Sequence, residues 1–446
     1  MSIQIYSIIG LVLIFLLATL RSVNMGAVAF LGAFLIGVFI FDETEDDLFS
    51  GFPGDLFVVL VGVTLLFAIA KNNGTVDWLI HAGVRAVRGR IALIPWVMFL
   101  VTSLLTMVGA VVPGAVAIMA PIGLNFATRY RINPLLMGLL IINGASAGGF
   151  SPISIFGSIT NGVVERSGLP GSPVLLWVSS FVFNAALSVV VFFLFGGKQL
   201  LRRRITTTEE PPAGPDNDSG GSIGDEPAGG AGTTTATRTS APAVTAVRLN
   251  AQRTVTLIGL VVLAVGALAL EFDVGLLALS IATVICVLSP QATKGCVAQV
   301  AWPTVLLICG VVTYVSLMER VGTIEFLGDS VAGIGIPLLA AFVICLIGGA
   351  VSAFASTTGI LGALIPLAVP FLLTGQVGAV GLIIALALSS SVVDSSPFST
   401  SGALVVASAP EEVRDTVFRR LMVWGMSMIV VAPVTACLIF VVPGWL

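Results

Sequence analysis

Ser151-Pro152-Ile153-Ser154-Ile155-Phe156-Gly157 and Ser396-Pro397-Phe398-Ser399-Thr400-Ser401-Gly402 carry one Ser-Pro-x-Ser-x-x-Gly pattern twice, 245 positions apart. Around them Gly114, Pro121 and Ser146 return at the same offset as Gly359, Pro366 and Ser391. A second echo lies upstream: Gly62 and Gly74-Thr75-Val76-Asp77-Trp78-Leu79 return 248 positions later as Gly310 and Gly322-Thr323-Ile324-Glu325-Phe326-Leu327. The chain is a duplicated unit.

Composition fixes its solvent. Hydrophobic residues make up 57% and charged residues 10% of the chain, with a mean hydropathy of +1.09, against roughly half apolar and a quarter charged in an average soluble domain. This is an integral, all-α, multi-pass membrane protein. Apolar runs near 8–20, 23–41, 56–70, 174–195, 255–270, 276–288, 305–317 and 421–442 read as spanning helices, each near the ~20 residues a bilayer needs or a few short of it. In so apolar a chain, duplicated halves interrupted by Gly and Pro at matching places point to a secondary transporter with its site between the halves. The first apolar run lacks a cleavage site and leads straight into the next. The five cysteines share no metal or redox spacing and read as small packing residues.

Charge predicts orientation. With five crossings per repeat and the amino terminus outside, 18 of the 20 Lys and Arg residues fall on the cytoplasmic side, leaving only Arg166 and Arg320 outside. The acidic turn from Asp42 to Asp47 then lies outside, as do both termini, and the odd number of crossings inverts one half relative to the other. The domains expected are a first repeat over 1–196, a disordered cytoplasmic linker over 197–252 and a second repeat over 253–446. The linker is rich in Pro, Gly, Thr, Asp and Glu and has no apolar periodicity with which to offset its ordering entropy.

Two segments per repeat break helix rules. Residues 91–127 are too long for one span and too short for two, with Val108-Gly109-Ala110-Val111-Val112-Pro113-Gly114 in the middle; residues 336–374 repeat this, turning at Ser352 to Gly359. Both read as re-entrant helical hairpins whose tips face a buried or wet centre. Short amphipathic stretches at 76–87 and 324–332 suit interfacial helices. The next span of each repeat is itself interrupted, by Gly144 to Ser154 and by Ser389 to Ser401, the latter with eight hydroxyls in thirteen residues. Unwound backbone supplies carbonyls for a cation, and freed helix amino termini supply N–H groups for an anion; close helix packing is the competing use of small hydroxyl residues. Asp394 is the ionisable residue set in the middle of an apolar span, a cation ligand or proton carrier by default, the alternative being a carboxyl satisfied by neighbouring serines. Asn143 and Asn161 flank the first break, where either can instead cap a half-helix.

The order of span, span, span, interfacial helix, hairpin, broken helix and span, repeated in opposite orientation, resembles the divalent-anion/sodium symporters of the ion transporter superfamily. The amino-terminal half is similar to the MatC type of malonate and dicarboxylate carrier, through Arg21-Ser22-Val23-Asn24-Met25-Gly26, Phe52-Pro53-Gly54-Asp55-Leu56-Phe57 and Asn73-Gly74-Thr75-Val76-Asp77-Trp78-Leu79. In the symporters each hairpin tip carries Ser-Asn-Thr, which binds sodium and the substrate carboxylate. The resemblance places Ser356-Thr357-Thr358 at the second tip, and at the first Val111-Val112-Pro113, which matches in no side chain. Any ligand at the first tip must then use backbone groups near Gly109 and Gly114.

The expected function is import of a small dicarboxylate, malonate or a C4 acid, by Na+- or H+-coupled alternating access across the inner membrane. Substrate contacts are expected at Gly114, Ser151, Ser154, Ser356, Thr357, Thr358, Gly359, Ser396 and Ser399, and the coupling ion at Asn143, Ser146, Ser391, Asp394 and Ser395, with Na+ placed at Ser356 and Asp394. The partners are the dicarboxylate and the lipid bilayer, with no cofactor and no nucleic acid; the resemblance leaves a homodimer open. A cation/proton antiporter is the alternative. Membrane enzymes fit poorly: a serine protease needs a base, and the sole histidine, His81, lies on another element, while an aspartyl protease needs a second Asp beside Asp394.

Overall fold

The computed structural model of the chain describes residues 4–21, 23–86, 90–201, 250–270, 272–291, 293–323, 326, 336–353, 357–373, 375 and 377–444. These residues form helices and no strand. The first half runs α1 (Gln4–Arg21), α2 (Met25–Ile40), α3 (Glu45–Ser50), α4 (Gly54–Asn72), α5 (Thr75–Ala86), α6 (Ile94–Met107), α7 (Val112–Arg129), α8 (Pro134–Gly149), α9 (Ile155–Arg166), α10 (Pro173–Leu194) and α11 (Gly197–Leu201). The second runs α12 (Ala251–Ala269), α13 (Val274–Leu288), α14 (Trp302–Arg320), α15 (Pro337–Ser352), α16 (Thr357–Leu373), α17 (Ala379–Val392), α18 (Thr400–Ser408) and α19 (Glu411–Ala436). Both hairpins and both broken helices fall where helix-breaking sequence interrupts the apolar runs. The interfacial stretch expected at 324–332, apart from Phe326, and most of the expected linker, 202–249, lie outside the described residues. The linker's edges are drawn in by helix, since α11 occupies 197–201 and α12 starts at Ala251.

Among the described residues, six stretches are long and apolar enough to cross a membrane: Gly54–Asn72, Pro173–Leu194, Ala251–Ala269, Trp302–Arg320, Ala379–Ser408 through its break, and Glu411–Val441. The other apolar helices are shorter; α2 and α13, read as spans, have 16 and 15 residues, or about 22–24 Å at 1.5 Å per residue. Many large apolar side chains point outward, among them Val12, Leu16 and Leu20 on α1, Val182 and Val190 on α10, and Val261 and Val265 on α12. A bilayer solvates such a surface. At the opposite extreme, every residue of α8 from Leu135 to Gly149 and of α17 from Gly381 to Val392 is buried. The broken helices are the axis of the molecule, and α1, α10 and α12 are its rim.

The halves interlock reciprocally. Helix α2 packs on α14, and α13 packs on α4; the hairpin arm α7 packs on α18, and α16 packs on α9. Each contact pairs one half's element with the counterpart of its partner's partner, the self-complementary pattern of an isologous interface. Glycine makes the outer pair possible. A Cβ on Gly310 would lie 2.0 Å from the Gly26 carbonyl oxygen and one on Gly26 1.9 Å from that of Leu306. In the mirrored contact a Cβ on Gly62 would lie 2.7 Å from the Gly275 carbonyl oxygen, and one on Gly275 2.7 Å from the Val59 nitrogen. With no hydrophobic drive between helices in lipid, such backbone-to-backbone approach supplies the dispersion contact that holds them together.

Polar contacts join loops at the two ends of the bundle. Arg166, ending α9, pairs with Asp55 at the start of α4, and Arg320, ending α14, pairs with Glu43 at 2.8 Å. Elsewhere Arg253 Nε donates to the Asn73 carbonyl at 3.1 Å, and Asn73 Nδ2 donates to Thr256 Oγ1 at 2.6 Å, tying the end of α4 to the start of α12.

Candidate functional site

The two breaks have the same backbone chemistry. In the first, Ser154 caps α9: its Oγ accepts from Gly157 N at 3.4 Å and donates toward the carbonyls of Gly149 and Ser151, at 2.5 and 2.7 Å. In the second, Ser399 caps α18: its Oγ accepts from Gly402 N at 3.3 Å and lies 2.5 and 2.7 Å from the carbonyls of Asp394 and Ser396. Ser151 and Ser396 each accept from the N–H two residues on, Ile153 and Phe398, at 3.3 Å. The closing glycine is a steric necessity, because a Cβ on Gly157 or Gly402 would lie within 1.9–2.0 Å of the Ser151 or Ser396 carbonyl oxygen. The repeated pattern is therefore a device for ending one buried helix and starting the next without stranding polar groups in the membrane.

Each tip meets its own half's break. Ser151 Oγ donates to the Met107 carbonyl, at the end of α6, at 3.2 Å. The start of α7 at Val112 sits against Gly149. Gly109, with φ of 109°, turns the first tip in a conformation that suits glycine, and its α-carbon faces Val63 of α4. At the second tip Ser352 Oγ donates to the Ser390 carbonyl at 2.7 Å and lies 2.9 Å from Thr357 Oγ1, joining α15, α16 and α17. Because α7 also packs on α18 and α16 on α9, each hairpin's second arm lies against the half-helix that follows the other half's break, with no Lys or Arg among the tip and break residues. Oriented N–H groups and positive dipole ends are what an anion finds there.

Of the expected substrate residues, Ser151, Ser154, Ser396 and Ser399 are buried in the breaks, and Thr357, Thr358 and Gly359 are buried at the second tip. Gly114 is exposed beside open space on α7. Ser356 lies outside the described residues. Of the expected ion ligands, Asp394 is 4% exposed and accepts from Ser401 Oγ at 2.6 Å, while Ser391 and Ser395 donate to the carbonyls of Leu388 and Val392 in their own helical turns. Asn143 and Ser146 are placed elsewhere. Asn143 Nδ2 donates to Ser188 Oγ at 3.1 Å, and the Ser146 carbonyl accepts from Ser180 Oγ at 3.2 Å, so both serve the contact between α8 and α10.

Three residues that sequence reasoning did not select belong to the second centre: Ser352, Ser390 and Ser401. Ser390 Oγ is buried without a hydrogen-bond partner, against Gly348 on α15. The signal for them was the 245-residue register itself, which sets Ser352 against Met107, Ser390 against Ala145 and Ser401 against Phe156.

A comparison with curated proteins gives no match. Residues 1–149 match the family model described as dicarboxylate carrier protein MatC N-terminus. That match runs from α1 through the first hairpin to the last residue of α8, and so includes one tip and the start of one break. Over its first third this chain is similar to that family.

Proposed function

We propose that the protein is a secondary active transporter that imports a small dicarboxylate, malonate or a C4 acid, by cation-coupled alternating access. The observation that carries this reading is the packing of each hairpin arm on the other half's broken helix, in a chain whose first third is MatC-like. The substrate carboxylates are held by the N–H groups of the half-helices and by Thr357 and Thr358. Asp394, in a centre free of basic side chains, draws in the coupling cation, which offsets its own charge and part of the substrate's.

In this reading the halves are inverted repeats in the inner membrane, with both termini outside. The pairs Arg166–Asp55 and Arg320–Glu43 support the grouping, since each joins two residues assigned to the outer face, and Arg253 meets Asn73 where both are assigned inside. Uptake of labelled dicarboxylates into proteoliposomes under imposed Na+ or H+ gradients tests the proposal. The expected result is gradient-driven accumulation of malonate or a C4 dicarboxylate but not of a monocarboxylate; no dicarboxylate uptake under either gradient would overturn it. A cation/proton antiporter also has use for the buried Asp394, and differs in that dicarboxylate would leave its melting temperature unchanged.

A further inference from the structure

Duplication of a unit that binds a cation yields two equivalent cation centres unless one is lost. The 245-residue register allows them to be compared position by position, on the reading of the chain as a cation-coupled carrier. The backbone device is shared: Ser151, Ser154 and Gly157 do in the first half what Ser396, Ser399 and Gly402 do in the second. The side chains around it are not. Opposite Ser352, Thr357, Ser390, Asp394 and Ser401 stand Met107, Val112, Ala145, Gly149 and Phe156. Each of these five polar residues has an apolar counterpart in the first half, while Ser391, Ser396 and Ser399 keep serine counterparts.

The first centre is also filled. Where Asp394 carries its carboxylate, a Cβ on Gly149 would already lie 2.9 Å from Val112 Cγ2 and 3.3 Å from Phe156 Cδ2. Phe156, where the second half has the Ser401 that hydrogen-bonds Asp394, packs on Phe150 with ring centroids 5.4 Å apart, and both rings are buried. Such a plug leaves no space for a carboxylate at Gly149. Of the buried polar side chains that the first half keeps, Asn143 and Ser180 bond across the contact between α8 and α10, while Thr102 and Thr106, on the arm leading to the tip, donate to carbonyls of their own helix.

Buried hydroxyls without a partner occur in both halves, at Thr160 in the first and Ser390 in the second, but the second stands one helical turn from a buried carboxylate. Ser390 is fully buried, one helical turn before Asp394 and beside the Ser352–Thr357 pair. An orphaned buried hydroxyl one helical turn from a buried carboxylate suits a bound species that satisfies both. Hydroxyl, carbonyl and carboxylate oxygens together are a hard-cation donor set.

We infer that the carrier binds one Na+ per chain, at the Asp394–Ser401–Ser390 centre of the second half, and that Phe150 and Phe156 close the equivalent position of the first. Equilibrium binding of radioactive 22Na+ to the purified full-length chain counts the sites directly. One saturable site is expected, absent in Asp394→Asn and weakened at least tenfold in Ser401→Ala, both still monodisperse on gel filtration. Two sites per chain, no sodium binding by the wild type, or wild-type binding by Asp394→Asn would overturn the inference. The same preparation in proteoliposomes separates this from the proposed function. One bound Na+ without dicarboxylate uptake removes the carrier reading and supports the single site, whereas dicarboxylate uptake with two bound Na+ does the reverse.

Discussion

Ser401 Oγ donates a 2.6 Å hydrogen bond to Asp394 Oδ2, from the first turn of α18 back across the break to the end of the preceding helix. Ser399 Oγ reaches the Asp394 carbonyl from the same side. The carboxylate is therefore held by the half-helix that follows it, and any change in its occupancy is felt at the joint between α17 and α18.

Asp394→Asn keeps the shape and the Ser401 contact but removes the charge. The expected outcome is loss of gradient-driven accumulation with normal membrane insertion, and some downhill exchange retained. Uptake against a gradient with unchanged ion dependence would make Asp394 a structural hydrogen-bonding residue.

Thr357→Val removes the second tip's hydroxyl at nearly constant volume. Ser352 keeps its bond to the Ser390 carbonyl, so the fold loses little. If Thr357 binds the substrate carboxylate, a charge-assisted bond of roughly 1.5–3 kcal/mol disappears and half-saturation rises about tenfold or more. A dose–response of uptake measures this, and an unchanged half-saturation constant removes Thr357 from the site.

Gly310→Ala tests the interlock. Its methyl group would meet the Gly26 carbonyl at 2.0 Å, backbone against backbone, where neither helix can yield without separating. Overpacking of this kind costs about 1–3 kcal/mol or more, so the melting temperature in detergent should fall clearly, with Gly62→Ala in the mirrored contact falling less. Thermal denaturation of both variants checks the ranking, which follows from the wider 2.7 Å approach at Gly62.

Orientation is tested by single cysteines at Asp46 and Ser219 in a cysteine-free background. An impermeant thiol reagent applied to intact cells should label only the position at Asp46, which lies exposed on α3. Labelling at Ser219 would reverse the assignment of both faces.

Much of the fold was legible because membrane helices announce themselves. Without water to satisfy backbone groups, every Gly- and Pro-rich interruption inside an apolar run must be a tip, a break or a loop, and the interruptions near Gly109 and Pro152 and between Asp394 and Pro397 are that. The site was less legible because residue type does not tell a hydroxyl that caps a helix from one that faces a ligand. Ser154 and Ser399 match the repeat best and are tied to backbone carbonyls, whereas Ser390, with an unsatisfied hydroxyl, lies outside the repeated pattern. Asn143 shows the same ambiguity: a buried amide in a membrane helix needs a partner, and the Ser188 on α10 to which it donates is too far along the chain for spacing to reveal.

The glycine-lined crossings of α2 with α14 and of α4 with α13 bear on how the molecule is made. As the ribosome releases the first half, Gly26 and Gly62 sit on helix faces whose partners have not yet been synthesised, and lipid must cover them until α13 and α14 emerge. The inserted first half is then an open clasp rather than a finished domain. The stretch of nearly fifty residues between α11 and α12 is long enough for the second half to reach and close it. Two polypeptides cut within that stretch and synthesised together should still assemble, while either alone should be cleared by membrane proteases.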